Sequence, residues 1–136
     1  MTVFNDDLRD SAAELLMSCR EKHLKLATAE SCTGGLILGL LTDIDGSSDV
    51  VECGFVTYTN EAKCQMLDVP MELFERVGAV SEEVALEMVI GVSTKSHCDV
   101  AVSITGVAGP TGGTSEKPVG MVCFGFSCDD KTSTST

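Results

Sequence analysis

Ser31 is a candidate nucleophile because of its position in the sequence. Ser31 falls in the sequence TAESCTGG at residues 28–35, between a short apolar stretch that predicts a buried strand and an apolar run that predicts a buried helix N-capped by Thr33. Free N–H groups at a helix start suit an anionic tetrahedral intermediate, and Gly34 and Gly35 let a ligand approach the backbone closely. Serine is also a common N-cap residue, so this turn alone leaves a capping role and a nucleophilic role equally open.

A nucleophilic serine needs a base, and the candidate is a lysine. Tyr58 closes a strand predicted over residues 50–58, and Lys63 falls on the first turn of the next predicted helix. Both should lie at the same sheet edge as Ser31. A lysine can act as a general base once burial lowers its pKa, and a tyrosine can relay or hold the proton. Taken alone, a lysine at this position is more often a surface helix residue than a base.

Other kinds of active site find little support. His23 and His97 are the only histidines, and both fall at predicted helix ends, where solvated or dipole-compensating roles are usual. The Gly-x-Ser-x-Gly elbow of classical hydrolases is absent, and so is the Gly-x-Gly-x-x-Gly of nicotinamide-dependent oxidoreductases. The Cys and His residues are scattered rather than clustered. We therefore predict neither a metal nor a cofactor.

A glycine-rich segment follows the predicted central strand. The sequence TGVAGPTGG at residues 105–113 begins where the apolar strand 99–105 ends, which is the usual ligand edge of an open α/β sheet. Its backbone N–H groups could wrap a phosphate or a sugar. It is not a Walker loop, and an ordinary glycine loop is the alternative.

Composition limits the partners. The 136 residues suit one domain with a single site. Nine Lys and Arg against 21 Asp and Glu give a formal net charge of -12, which repels nucleic acids and anionic membranes at long range. A small anionic ligand remains possible, because backbone N–H groups can hold a phosphate without any cationic side chain.

The cysteines and the N-terminus predict a cytoplasmic protein. The seven cysteines are odd in number, lack Cys-x-x-Cys spacing and fall partly within apolar runs, as expected of thiols in a reducing compartment. The first residues are acidic rather than basic, and no apolar run approaches the ~20 residues of a membrane span.

Helical and strand patterns alternate along the chain, which predicts a three-layer α/β/α sandwich with a mostly parallel central sheet. One domain should occupy residues 1–128, and the Ser/Thr-rich residues 129–136 should form a mobile polar tail. The helices are predicted at residues 11–23, 34–41, 61–67 (capped by Asn60), 70–77 and 81–96, and the strands at 26–29, 50–58, 99–105 and 119–127.

Four segments together resemble one family. They are TAESCTGG at 28–35, GFVTYTNEAK at 54–63, GAVSEEV at 78–84, and TGVAGPTGGT at 105–114 followed by KPVG at 117–120. In this order they are similar to the CinA C-terminal family, the nicotinamide-nucleotide amidases, from about residue 8 to 126.

The resemblance implies hydrolysis of the carboxamide of nicotinamide mononucleotide, giving nicotinate mononucleotide and ammonia without a metal. The family's catalytic set falls on Ser31, Tyr58 and Lys63, and its members tend to form dimers. The substrate-binding residues that we predict lie in the two glycine-containing segments and beside Tyr58. They are Glu30, Cys32, Thr33, Gly34, Gly35, Asn60, Thr105, Gly106, Ala108, Gly109, Gly112 and Gly113.

Other functions stay open at this point. Longer family members carry an additional N-terminal domain, so only the amidase activity is carried over by the resemblance. The main alternative is a nucleotide-binding module that keeps the glycine loops without catalysis. A purely structural interaction domain, in which those loops are incidental turns, is a third interpretation.

Overall fold

The computed structural model describes residues 2–136. Five α-helices and five strands make up the fold, one strand more than the sequence patterns predict. The helices are α1 (Asp6–Glu21), α2 (Leu36–Thr42), α3 (Asn60–Leu67), α4 (Met71–Val77) and α5 (Glu82–Lys95), and the strands are β1 (Leu26–Glu30), β2 (Val51–Val56), β3 (Val100–Gly106), β4 (Val122–Cys128) and β5 (Lys131–Ser135). The strands form one mixed sheet in the order β2-β1-β3-β4-β5.

Helices cover both faces of the sheet, because successive side chains of its strands point to opposite sides. In β1, Leu26 packs with α1 and α2, whereas Ala27 and Ala29 pack with α3, α4 and α5. Both faces of this strand are fully buried, so its sequence is apolar without alternation. The predicted three-layer α/β/α sandwich is confirmed.

The parallel part of the sheet creates the ligand edge. Strand β1 pairs in parallel with β2 and with β3, while β4 and β5 are antiparallel additions. The chain leaves β1 toward β2 and later returns past β1 to β3. Connections that diverge from neighbouring strands in this way open a crevice at the strands' carboxyl ends. Residues 30–31, 57–58 and 105–106 all meet there.

Helix α2 differs from its prediction. It begins at Leu36 after Gly35, whose φ of 101° belongs to the left-handed region, and Thr33 is not its N-cap. The apolar run also predicts a fully buried helix, which is wrong, because Leu36 is 58% exposed and only Leu41 is buried. The helix covers β1 and β2 near the edge of the sheet, so part of its surface has no neighbour within the described chain.

The expected polar tail is part of the sheet. Residues 131–135 form β5, which pairs antiparallel with β4. Asp129 and Asp130 both adopt the left-handed conformation, with φ of 52° and 62°. Two consecutive residues of this kind make the tight turn typical of hairpins. The prediction of a tail outside the fold is therefore wrong at these positions.

The longest helix, α1, has 16 residues and includes seven charged ones. Its N-terminus is capped by Asn5, whose side chain accepts a hydrogen bond from the Leu8 amide. Within residues 2–136, no helix has both the length and the apolar composition that crossing a membrane requires.

Candidate active site

The Ser31 hydroxyl contacts the amine of Lys63 at the carboxyl edge of the sheet. Ser31 follows β1 directly, and its amide donates to the Ile104 carbonyl of β3 at 2.9 Å. Lys63 lies on the first turn of α3 and reaches back, so that its Nζ lies 2.9 Å from Ser31 Oγ. The two residues that the sequence analysis pairs are thus within hydrogen-bond distance, as nucleophile and base require.

Lys63 is a buried amine rather than a surface lysine. Its side chain is 1% exposed, and no acidic side chain forms a salt bridge with it within residues 2–136. Burial lowers the pKa of Lys63, and the thiols of Cys32 and Cys64 oppose this shift only in part. A lysine with a lowered pKa is neutral in a larger fraction of molecules, which is the form that can accept a proton.

Tyr58 enters this contact through its backbone. Its carbonyl oxygen accepts hydrogen bonds from Lys63 Nζ at 3.2 Å and from Ser31 Oγ at 3.4 Å. Its side chain is 71% exposed and contributes to the wall of the pocket. The carbonyl thus contacts the Ser31 hydroxyl and the Lys63 amine, whereas the sequence analysis assigns proton relay to the phenol.

Glu30 caps helix α2. Its carboxylate accepts hydrogen bonds from the amides of Ile37 and Leu38 at 2.9 and 3.0 Å, and from Thr33 Oγ1 at 2.6 Å. Capping therefore falls to a buried carboxylate one residue before Ser31, and neither Ser31 nor Thr33 is needed for it. Ser31 Oγ is left to contact Lys63.

We expect Glu30→Gln to weaken both the fold and the site. A glutamine at this position offers one acceptor oxygen and places an NH₂ group against a backbone donor, so one buried N–H loses its partner. Such a loss costs roughly 1–3 kcal/mol. Urea unfolding should show a lower midpoint for Glu30→Gln. The control is Glu52→Gln, at an exposed position of β2, and equal effects of the two substitutions would contradict the capping role.

The donors that remain for an oxyanion are not those of the first helical turn. Glu30 takes the amides of residues 37 and 38, and the amides of Gly34 and Leu36 donate to the carbonyls of residues 31 and 33. Among residues 2–136, the amides of Cys32 and Thr33 donate to neither the Glu30 carboxylate nor a backbone carbonyl of the turn. Burial raises the pKa of the Cys32 thiol, and these two amides and Lys63 offset part of that rise. These amides belong to the two residues that follow Ser31 in the chain.

A cavity of about 420 Å³ opens above this contact, within the range of small-molecule sites. Ten of its lining residues coincide with sequence-predicted site residues: Ser31, Cys32, Tyr58, Asn60, Lys63, Thr105, Gly106, Ala108, Gly109 and Gly112. Five predicted binding residues do not line it, namely Glu30, Thr33, Gly34, Gly35 and Gly113. Glu30 and Thr33 act behind the site, in the cap of α2.

Residues of the turn between α4 and α5 line the same cavity. Ala79 and Val80 of this turn contribute to its lining, and Val107 and Thr111 complete it. The sequence analysis quotes this turn as the segment 78–84 but assigns it no role. Apolar side chains carry no chemical signature, so only the segment's part in the family resemblance marks it.

Asn60 is free to face the cavity because its neighbour takes the capping role. Thr59 Oγ1 accepts the Ala62 amide at 3.0 Å, so Thr59 rather than Asn60 caps α3. Asn60 is then the first helical residue, and its side chain lines the pocket next to Lys63.

Both histidines lie away from this site. His23 follows α1 and His97 follows α5, so each precedes the amino end of a parallel strand, at the opposite edge of the sheet. Within residues 2–136, no three His, Cys, Asp or Glu side chains gather as metal ligands would.

Comparison with known proteins identifies the family. The family described as "CinA C-terminal domain" matches residues 8–136 of the chain. Among solved structures, the competence/damage inducible protein CihA from Agrobacterium tumefaciens superimposes with a TM-score of 0.95 at 45% identity, covering 99% of this chain and 82% of that one.

Two curated relatives show the range of sizes in the family. A "CinA-like protein" of Colwellia psychrerythraea is 50% identical over 134 residues, which are 98% of this chain but 31% of the relative. The "Nicotinamide-nucleotide amidohydrolase PncC" of Escherichia coli is 48% identical over 122 residues, or 90% of this chain and 74% of the relative. With the motifs in order and the fold matched throughout, the chain belongs to the CinA C-terminal domain family.

Proposed function

We propose that this chain is an amidohydrolase that converts nicotinamide mononucleotide to nicotinate mononucleotide and ammonia. The observation that carries the proposal is the 2.9 Å contact between Ser31 Oγ and the buried amine of Lys63, at the base of an open cavity. The name of the Escherichia coli relative, of which the chain covers 74%, supplies the class of substrate.

Ser31 and Lys63 carry the two half-reactions. Ser31 Oγ attacks the carboxamide carbon while its proton passes to the neutral Lys63 amine. The tetrahedral intermediate collapses as the C–N bond breaks, and Lys63 returns the proton to the leaving nitrogen, releasing ammonia. Water then attacks the acyl-enzyme with Lys63 again as base, which frees the carboxylate and restores Ser31. The Tyr58 carbonyl, which accepts hydrogen bonds from both side chains, keeps Lys63 Nζ and Ser31 Oγ close together in both steps.

Backbone and side-chain groups around this pair would hold the substrate. We expect the amides of Cys32 and Thr33, the two residues that follow Ser31, to donate to the developing oxyanion. The Asn60 side chain is itself a carboxamide, so it can pair its donor and acceptor with those of the substrate amide. The loop from Gly106 to Gly112 lines the opposite side with exposed backbone, which suits the ribose and phosphate.

The direct test is to incubate the purified protein with nicotinamide mononucleotide and to measure ammonia with a coupled dehydrogenase. We expect ammonia and nicotinate mononucleotide, the latter identified by chromatography, in equal amounts. Absence of ammonia release would contradict the proposal. Calorimetric binding of the nucleotide without turnover would support the alternative, a non-catalytic nucleotide-binding module.

We further propose that the chain forms a homodimer through α2 and the edge strand β2. Leu36 and Val56 are 58% and 47% exposed, and Val56 lies beside Gly35, so the two make one apolar patch. Leu36→Asp should shift the sedimentation coefficient from dimer to monomer, because it buries a charge in such an interface. Ile90→Asp, at an exposed apolar position of α5, is the control. A monomeric wild type would refute the interface.

A further inference from the structure

The turn between α4 and α5 is held by an unusual set of contacts. Three consecutive carbonyls, those of residues 77, 78 and 79, each accept a hydrogen bond from a side chain, and two of these side chains come from distant parts of the chain. The donors are, in order, Lys117 Nζ, Ser81 Oγ (2.9 Å) and Thr105 Oγ1 (2.9 Å). Ala79 and Val80 of this turn form one wall of the catalytic cavity.

Two of the three donors belong to the connection between β3 and β4 or to the end of β3 that leads into it. Thr105 lies at the start of the glycine loop, and Lys117 lies near its end. The loop is also closed on itself, because the Gly120 amide donates to the Val107 carbonyl at 2.7 Å and the Thr114 amide donates to the Lys117 carbonyl at 2.9 Å. Hydrogen bonds from Thr105 and Lys117, one at each end of this loop, thus connect the loop to the turn between α4 and α5.

The surroundings of Lys117 favour its contact with the end of α4. Its acceptor is the carbonyl of Val77, the last residue of α4, where the helix dipole favours a cation. Gly78 has a φ of 78°, and a Cβ built on it would lie 2.9 Å from Lys117 Nζ, so glycine leaves the ammonium its room. Lys117 pairs with no carboxylate within residues 2–136, and it does not line the cavity.

We propose that Lys117 is a positioning residue that fixes the distance between the two walls of the cavity and thereby sets substrate affinity rather than the rate of the chemical step. This inference rests on the amidase activity proposed above. The Lys117 ammonium contacts the carbonyl at the end of α4. Ser31 and Lys63 contact each other and the Tyr58 carbonyl, and these residues lie just after β1 and β2 and on α3. Loss of the ammonium should loosen the walls and leave the reacting pair in place.

The test compares Lys117→Met, which keeps the length of the side chain but removes its donors, with Lys117→Arg, which keeps the charge and donors. For Lys117→Met we expect KM to rise by about 10-fold, the effect of one lost charged hydrogen bond, with kcat within about twofold of wild type. Lys117→Arg should restore most of the loss. Lys131→Met, which removes an exposed lysine of β5, is the matched control and should change neither constant.

A second substrate separates positioning from direct contact with the phosphate. If Lys117 fixes the walls, Lys117→Met raises KM for nicotinamide mononucleotide and for the phosphate-free nicotinamide riboside by the same factor. An increase confined to the mononucleotide would make Lys117 a phosphate ligand and overturn the proposal. So would a fall in kcat at unchanged KM.

Hydrogen–deuterium exchange without substrate keeps this inference distinct from the proposed activity. In Lys117→Met, the amides of residues 78–81 and 106–120 should exchange faster than in wild type and in Lys131→Met. Unchanged exchange would refute the positioning role whether or not the protein releases ammonia. Failure of the wild type to release ammonia, with faster exchange in the variant, would refute the amidase proposal and leave the positioning role supported.

Discussion

Ser31→Ala is expected to lower the rate of ammonia release by at least about 10³-fold while the protein stays folded, because the nucleophile acts as a unit with its base. Ser31 Oγ is the atom within 2.9 Å of Lys63 Nζ, and its removal leaves the base with no oxygen to activate on the protein. The lost hydroxyl is small, and the Tyr58 carbonyl keeps its bond from Lys63. Steady-state kinetics and thermal unfolding of the same preparation measure both effects.

The expected control is Ser48→Ala, at an exposed serine of the turn that precedes β2, which should retain full activity. Mass spectrometry of wild type quenched during turnover should reveal an acyl adduct on the peptide that contains Ser31, and Ser31→Ala should not form it. An adduct on Cys32 instead, or full activity of Ser31→Ala, would show that another group is the nucleophile.

The pairing of Ser31 with Lys63 could be predicted from sequence because it depends on topology. Both residues follow strands of a sheet that is predicted to be mostly parallel, and the carboxyl ends of neighbouring parallel strands meet at one edge. The order of elements was therefore enough to bring the two segments together. The fold class could be predicted on the same ground.

The role of Tyr58 depends on finer detail. Whether its ring or its carbonyl faces Ser31 is decided by side-chain direction at the end of β2, where one residue of difference reverses the face. The ring points to solvent and the cavity wall, and the carbonyl reaches Lys63. The sequence names the residue but does not determine which of its groups acts.

Glu30 shows a different limit. Within the family motif it is an acidic residue next to Ser31, and the sequence analysis therefore assigns it to substrate binding. It caps α2 instead, because Gly34 and Gly35 both have positive φ and turn the first helical amides back toward its carboxylate. Nothing in residue type separates these roles; only the path of the backbone does.

The sequence analysis does not predict strand β5, because it takes the Ser/Thr-rich composition of these residues as the mark of a solvated tail. Ser and Thr at residues 132–136 suggest a solvated tail, yet threonine favours strands, and Asp129 and Asp130 can adopt the left-handed turn that a hairpin needs. The turn signal was present in the sequence. Pairing with β4 supplies the backbone hydrogen bonds that a polar segment cannot obtain from burial.

Lys63→Met is the second substitution with a large expected effect. It should lower the activity strongly without lowering the stability of the fold. Methionine fills a similar volume but cannot accept a proton, so we expect kcat/KM to fall by at least about 10³-fold. The buried amine is desolvated and has no carboxylate partner within residues 2–136, so its removal should leave the melting temperature unchanged or raise it.

The dependence on pH follows from the lowered pKa of Lys63. The neutral amine is the active form, so wild-type kcat/KM should rise with pH through a pKa below the ordinary lysine value of about 10.4. In the folded state Lys63 binds fewer protons than in the unfolded state between these two pKa values, so the stability of wild type also rises with pH across that window. At lower pH, folding must bury the ammonium.

Lys63→Met removes this titration, so its advantage in melting temperature over wild type should be largest below the lowered pKa of Lys63 and shrink as the pH rises through it. Lys63→Arg is the control, because a guanidinium does not lose its proton and should leave the site inactive at every pH. A stability difference that is independent of pH would mean that Lys63 binds the same number of protons in the folded and unfolded states, so that folding does not lower its pKa. Activity in Lys63→Met would mean that another group takes the proton of Ser31.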